Sequence, residues 1–397
     1  MRFAWHASSA VSGGLFSALT SVLAVLLLAP AQYGLFSIVY LIFAFGISLQ
    51  YSIINEAWAR TRESSGTESD WASYSGALIA LSGIVALVAT GPSTAIPELR
   101  SAAVFLVLAV FFALYRNGVR YHSVATGALT RVVISDCAGI LAFLVPLVVG
   151  WHLPDIQKVA LSWFASVLLS SVVLKSPVLL RSRSLASWAR THGAAIRPLL
   201  FDSLVMDLGA IGTPFLLAGL LGAGPFGTYR AVSNAALPVR LLIDPLRPTL
   251  GRIGTRVLLG RAGIALISSA TVVLTIGSYG ALAILVPHLG FRLGTLTSLV
   301  AFAVPSSVFV AGSFLGTIFY IVCRTKATPR GIFVGRALQT LFVVVAPIAG
   351  FLVTGLPGAI WGFAISSVIS AIAWISLTLL LGRHAPNMGI PMSQGDL

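Results

Sequence analysis

Leu27-Leu28-Ala29-Pro30-Ala31-Gln32-Tyr33-Gly34-Leu35-Phe36 is answered 193 residues later by Leu220-Leu221-Gly222-Ala223-Gly224-Pro225-Phe226-Gly227-Thr228-Tyr229. The two stretches align without a gap: two leucines, a small-residue turn, an aromatic, a glycine, and a second aromatic two residues beyond. Carried backward, the same offset lays Thr20 on Thr213. Each stretch joins two long apolar runs, and the offset is close to half of the 397 residues. The chain therefore reads as two copies of one helical unit in the same orientation, a parallel repeat with its axis along the membrane normal.

Composition supports the membrane. Hydrophobic residues make up 57% and charged residues 9%, against about 25% charged in soluble domains. Mean hydropathy is +0.97. So few charges cannot cover a water-facing surface, which excludes a soluble enzyme, a nucleic-acid binder and a disordered chain. Cys137 and Cys323 form no ligand or disulfide pattern.

A spanning helix needs roughly 20 mainly apolar residues. Twelve such segments are expected, at 9–29, 33–54, 71–90, 101–114 (with an extension through Tyr115 to Val119 open), 132–150, 159–180, 199–221, 226–246, 263–286, 295–322, 332–353 and 358–381. The expected fold is all-α, a polytopic membrane protein of about 12 transmembrane helices in two six-helix lobes related by pseudo-two-fold symmetry. The lobes are 1–180 and 198–382, joined by a basic linker at 181–197 and followed by a short tail, 383–397. The linker region carries Arg181, Arg183, Arg190 and Arg197 with Leu185 and Trp188, and is expected to lie at the inner interface as an amphipathic helix.

Charge orients the bundle. With the N-terminus in the cytoplasm, all but four of the 25 Lys and Arg fall on that side; the exceptions are Arg100, Lys158, Arg230 and Arg292. The positive-inside rule thus places both termini in the cytoplasm, in a multi-pass protein of the inner membrane. The net charge of +14 follows from this topology and draws the inner face to anionic lipid. No nucleic acid is implied, because the basic residues are dispersed over short segments. Leu23–Leu28 followed by Ala29-Pro30-Ala31 has the look of a leader with its cleavage site. Arg2 is its only basic residue, however, and the repeat accounts for the segment better as a first span.

The stretch Leu28-Ala29-Pro30-Ala31-Gln32-Tyr33-Gly34-Leu35-Phe36-Ser37 resembles the first hairpin of the polysaccharide-export family, where a small turn precedes Tyr-Gly-x-Phe-Ser. That family comprises the O-antigen and lipid-linked oligosaccharide flippases. It shares a superfamily with the multidrug and toxin extrusion antiporters and the lipid II flippases. The resemblance implies a flippase that turns an undecaprenyl-diphosphate-linked glycan to the outer leaflet. Its implied partners are membrane lipids, the anionic glycan lipid and glycan-assembly enzymes, with the chain acting as a monomer.

Ionisable residues at membrane depth generally face the bundle interior or water. In the eighth span Arg230, Asn234 and Asp244 fall within about 40° of one another at 100° per residue, with Arg240 on the flank. Arg230 is the leading ligand for a diphosphate, because guanidinium offers delocalised charge and several donors. Asn234 is placed to bond sugar hydroxyls. Asp207, near the midplane of the seventh span, is expected to pair with Arg230 or carry a coupling proton or sodium ion. Asp202, Asn55, Glu56, Asp136, Arg240 and Asp244 are further coupling or gating candidates. For Arg240 and Asp244 a structural i,i+4 pair is the plainer reading; Asp136 is expected to meet Arg131 or Arg120. Ser8, Ser9, Ser12, Ser17, Thr20 and Ser21 give the first span a weakly polar character, read as backbone bonding or helix packing.

Other motifs carry nothing. Gly222-x-Gly224-x-x-Gly227 matches a dinucleotide fingerprint in letters only, since no strand precedes it. The six histidines are scattered, without metal spacing. No Walker loop or Gly-x-Ser-x-Gly elbow occurs, so neither a cofactor nor an enzyme activity is expected. Two rivals stay open: an antiporter for cationic drugs, served by Asp202 and Asp207, and an integral-membrane glycan polymerase or ligase, for which the short outward loops leave little room.

Overall fold

Hydrocarbon offers no partners for backbone N–H and C=O, so a chain this apolar must satisfy them within itself. It does so by folding into helices. The computed structural model describes residues 2–65, 71–174, 185–237, 239, 243, 250, 255–289 and 293–384.

In the first half, α1 (Arg2–Leu27) turns at Leu28 and Ala29 into α2 (Pro30–Gln50). A π-helical turn (Tyr51–Asn55) carries α2 on into Glu56–Ser65. Then come α3 (Trp71–Ala95), α4 (Ala103–Ala125), α5 (Leu129–Val149) and α6 (Asp155–Leu174). In the second half, α7 (Leu185–Asp207) continues through a π turn (Leu208–Gly212) into Thr213–Leu221. It is followed by α8 (Ala223–Asn234), α9 (Arg261–Gly280), α10 (Ala303–Lys326), α11 (Pro329–Thr354) and α12 (Leu356–His384). Ten helices among the described residues are long and apolar enough to cross a membrane. α1 and α8 begin the first and eighth expected spans, and residues 238, 240–242 and 244–246 of the eighth lie outside the described residues. Large apolar side chains such as Leu87, Val148, Leu266 and Val353 stay exposed on them, as lipid-facing surfaces require.

The pairings repeat. α3 packs on α4, α4 on α6 and α5 on α6; six helices later α9 packs on α10, α10 on α12 and α11 on α12. The halves meet chiefly along α2 and α8. A Cβ on Gly34 would run into the carbonyl oxygen of Ala223, and one on Gly227 into that of Pro30. The offset of 193 carries Gly34 onto Gly227 and Pro30 onto Ala223. The two contacts are therefore one contact seen twice, the mark of an axis passing between the helices. The four aromatics of the repeat, Tyr33, Phe36, Phe226 and Tyr229, are all buried beside it.

Two expectations change. The fourth helix takes the longer course and runs on to Ala125, past the extension to Val119, because a hydropathy reading falters at Arg116, Asn117 and Arg120 although the helix does not. The linker's described part is the start of α7 and belongs to the bundle. Trp188 is buried and donates its indole N–H to Ile53 O at 2.8 Å, and His192 Nδ1 lies 3.0 Å from Thr61 Oγ1. The π turn explains the first contact, since it takes carbonyls of α2 out of the regular helical ladder.

Candidate functional site

Between the halves, on the far side of the α2–α8 crossing from the hairpins, lies a cavity of about 470 Å³. The first half contributes Ser21, Tyr40, Leu41 and Ala44; α7, α8, α10, α11 and α12 supply the rest. Its polar groups come from separate helices, each with a stripe at helical spacing. On α8 these are Arg230, Ser233 and Asn234; on α11, Arg336, Gln339 and Thr340; on α12, Ser366, Ser367 and Ser370. Tyr320 and Trp374 add rings.

Arg230 is 8% exposed. Its Nη1 donates to Ser233 Oγ at 3.1 Å, while its Nε has no hydrogen-bond partner. Asn234 reaches across the lobes, donating Nδ2–H to Tyr33 Oη at 2.6 Å. Under the repeat offset the counterpart of Arg230 is Ser37, so the charge belongs to one half only.

Arg336 is a lining residue that sequence reasoning missed by assigning it to a cytoplasmic loop. It sits seven residues into α11, donates to Tyr320 Oη at 2.5 Å and to Gln339 Oε1 at 3.3 Å, and lies over the Tyr320 ring. Its Nε is also unpartnered. The available signal was the stripe Arg336, Gln339, Thr340, Val343 on one helix face. Among the described residues, neither arginine forms an ion pair and no Asp or Glu lines the cavity. The arrangement offers guanidinium donors, amides, hydroxyls and rings, which suits an anionic, hydroxyl-rich group.

The other candidates lie apart. Asp207 is buried where α7 enters its π turn, and its Oδ2 has no partner. No ion pair joins it to Arg230 among the described residues, contrary to expectation, because the π turn follows it directly and sets it toward Ser48 of α2. Asp202 is exposed. Asn55, fully buried, accepts from Tyr74 Oη at 2.8 Å, and Glu56 is half-buried at the head of the α2 extension. Asp136 pairs with Arg116 and Arg120, while Arg131, its other expected partner, is exposed. The reason is helical phase: Asp136 points into the bundle and Arg131 out of it. Arg240 and Asp244 lie outside the described residues.

No protein-family model matches the chain, and no curated protein sequence matches it. Solved structures do match over nearly its whole length. The lipid II flippase MurJ, in an inward closed conformation, superposes with a TM-score of 0.63 at 12% identity, over 96% of this chain and 90% of that one. The inward-facing form of a multidrug resistance MATE family transporter of the MOP superfamily gives 0.62 at 13% identity, over 93% and 95%. An outward-facing form gives 0.55 at 12%, over 97% and 96%. This chain shares their fold. The likeness covers both halves.

Proposed function

We propose that this protein is a transporter of the inner membrane that moves an undecaprenyl-diphosphate-linked oligosaccharide from one leaflet to the other by alternating access. One observation carries the reading: among the described residues, the inter-lobe cavity presents two guanidiniums without an ion-pair partner and no lining carboxylate. An uncompensated buried charge is expensive, so a site that keeps one free is built for an anion. A diphosphate would take the free N–H groups of Arg230 and Arg336. Sugar hydroxyls would meet Asn234, Gln339 and the serines of α12, with Tyr320 and Trp374 beneath the rings. The polyprenyl tail stays in hydrocarbon while the lobes rock about the α2–α8 crossing. In this reading the protein is a monomer with both termini cytoplasmic. Glycan-assembly enzymes supply its substrate, and it needs no cofactor.

The test is flipping of a fluorescent short-chain polyprenyl-diphosphate sugar in proteoliposomes. Arg230→Gln and Arg336→Gln should each cut the rate at least tenfold at unchanged expression, and Arg230→Lys should recover part of it. Wild-type rates in the double Gln variant would remove the site from consideration.

One observation favours the antiporter reading. Asp207 keeps an unpartnered Oδ2, with Met206 and Gly209 on either side lining the cavity. On the flippase reading this carboxylate carries the coupling proton or sodium ion, with Asp202, Asn55 and Glu56 toward the basic end as gating candidates. Efflux of a cationic dye driven by a proton gradient, abolished by Asp207→Asn and indifferent to Arg230→Gln, would support the antiporter instead.

A further inference from the structure

The buried charges of the first half do not balance, and the imbalance opens onto a second cavity. Asp136, fully buried in α5, accepts from Arg116 Nη2, from Ser12 Oγ at 2.7 Å and from Arg120 Nε at 3.4 Å. One carboxylate thus faces two guanidiniums inside membrane-spanning helices. Arg116 is the more deeply held: its side chain is 5% exposed, its Nε donates to Ser170 Oγ at 2.9 Å, and it lies over the Phe16 ring. The surplus charge falls on Arg120, whose side chain is 22% exposed. Its Nη2 donates to Ser9 O at 2.5 Å, and its Nη1 has no hydrogen bond among the described residues. Gly13 makes this placement possible, because a Cβ there would overlap the guanidinium.

Arg120 lines a cavity of about 290 Å³ with Tyr51, Asn117 and Tyr121, walled by Val124 and Ala125. Among the described residues, no acidic side chain lines it. Glu56 lies one π turn beyond Tyr51, its N–H bonded to Tyr51 O, so it stands about 50° around the helix, half-buried and not among the lining residues. Tyr51 itself shares the α2 face of Tyr40 and Ala44, which line the central cavity two turns away, about 10 Å toward the basic end. The volume is at the small end for ligand pockets and suits a phosphate or diphosphate without a glycan.

We propose that the Arg120 cavity is a second oxyanion site, taking the phosphate oxygens of a headgroup outside the central cavity. The inference rests on the transporter reading for its purpose, as a station on the way to Arg336 and Arg230, but binding there is a separate fact. Bilayer phospholipid and the transported carrier share this chemistry.

The full chain in phosphatidylcholine nanodiscs would be titrated calorimetrically with inorganic pyrophosphate. Two equivalents should bind. Arg120→Gln should remove one, and the Arg116–Asp136 pair it leaves behind is neutral and keeps the helices together. Ala125→Trp, which fills the cavity without touching the charged cluster, should remove the same equivalent. The double variant Arg230→Gln, Arg336→Gln should remove the other. A single equivalent insensitive to Arg120→Gln and Ala125→Trp overturns this inference and leaves the central site standing. A single equivalent lost only in those two variants upholds it and sinks the central site. Tenfold weaker pyrophosphate binding at the Arg120 site in phosphatidylglycerol discs would assign the site to bilayer lipid; tenfold tighter binding of geranyl diphosphate would assign it to the transported carrier.

Discussion

Asp136 shows how much one buried residue can hold. Its carboxylate joins α1, α4 and α5 through Ser12, Arg116 and Arg120. Asp136→Asn would keep the shape and leave two guanidiniums facing each other. Breaking a buried pair in this way costs about 3–5 kcal/mol, so the detergent-solubilised variant should melt well below the wild type. Arg120→Gln, which leaves a matched pair, should cost clearly less; equal losses would mean the cluster does not act as described. The carboxylate's importance was legible in the sequence, since an acid in an apolar run needs a partner. Its partner was only half legible. Arg116, Arg120 and Arg336 were counted as surface charges because a topology rule reads letters along the chain and says nothing of where a long side chain folds back.

At the scale of helices, α2 and α8 are held at backbone distance by two glycines. Such small-residue contacts gain van der Waals packing that bulkier side chains would forbid. Gly227→Val should force the helices apart at the hairpin end. Maleimide labelling of an Asn234→Cys probe from that side should then rise several-fold, and unchanged labelling would show that the crossing is no barrier. The α2–α7 contact makes a second prediction. Trp188→Phe removes the donor to the Ile53 carbonyl that the π turn sets free, and should cost about 1 kcal/mol in thermal stability. Most helix positions could be read from apolar run length. The ends of α4 and α7 could not, because tertiary burial of Arg116, Arg120 and Trp188 overrides local polarity.

For the whole molecule, the crossing closes the hairpin end while the cavity lies below it. On the proposed function, rocking of the lobes about this crossing predicts that the hairpins separate during the cycle. Spin labels at Ala31→Cys and Pro225→Cys, both exposed, should report a short distance in the empty protein and a longer population on adding a polyprenyl-diphosphate sugar. One distance under every condition would rule out rocking about this axis.

The sequence by itself determined that the chain spans a bilayer about twelve times and is built from two like halves. Hydropathy and the repeat are properties of local composition, and both survive without knowledge of contacts. It also singled out Gly34 and Gly227, though as parts of a turn. Only the tertiary structure decided that these glycines face each other across an axis, that Arg336 joins Arg230 in one cavity, and that Asp207 stays apart from both. Which residues share a space depends on how helices distant in sequence are rotated against one another, and that rotation is set by packing between the halves.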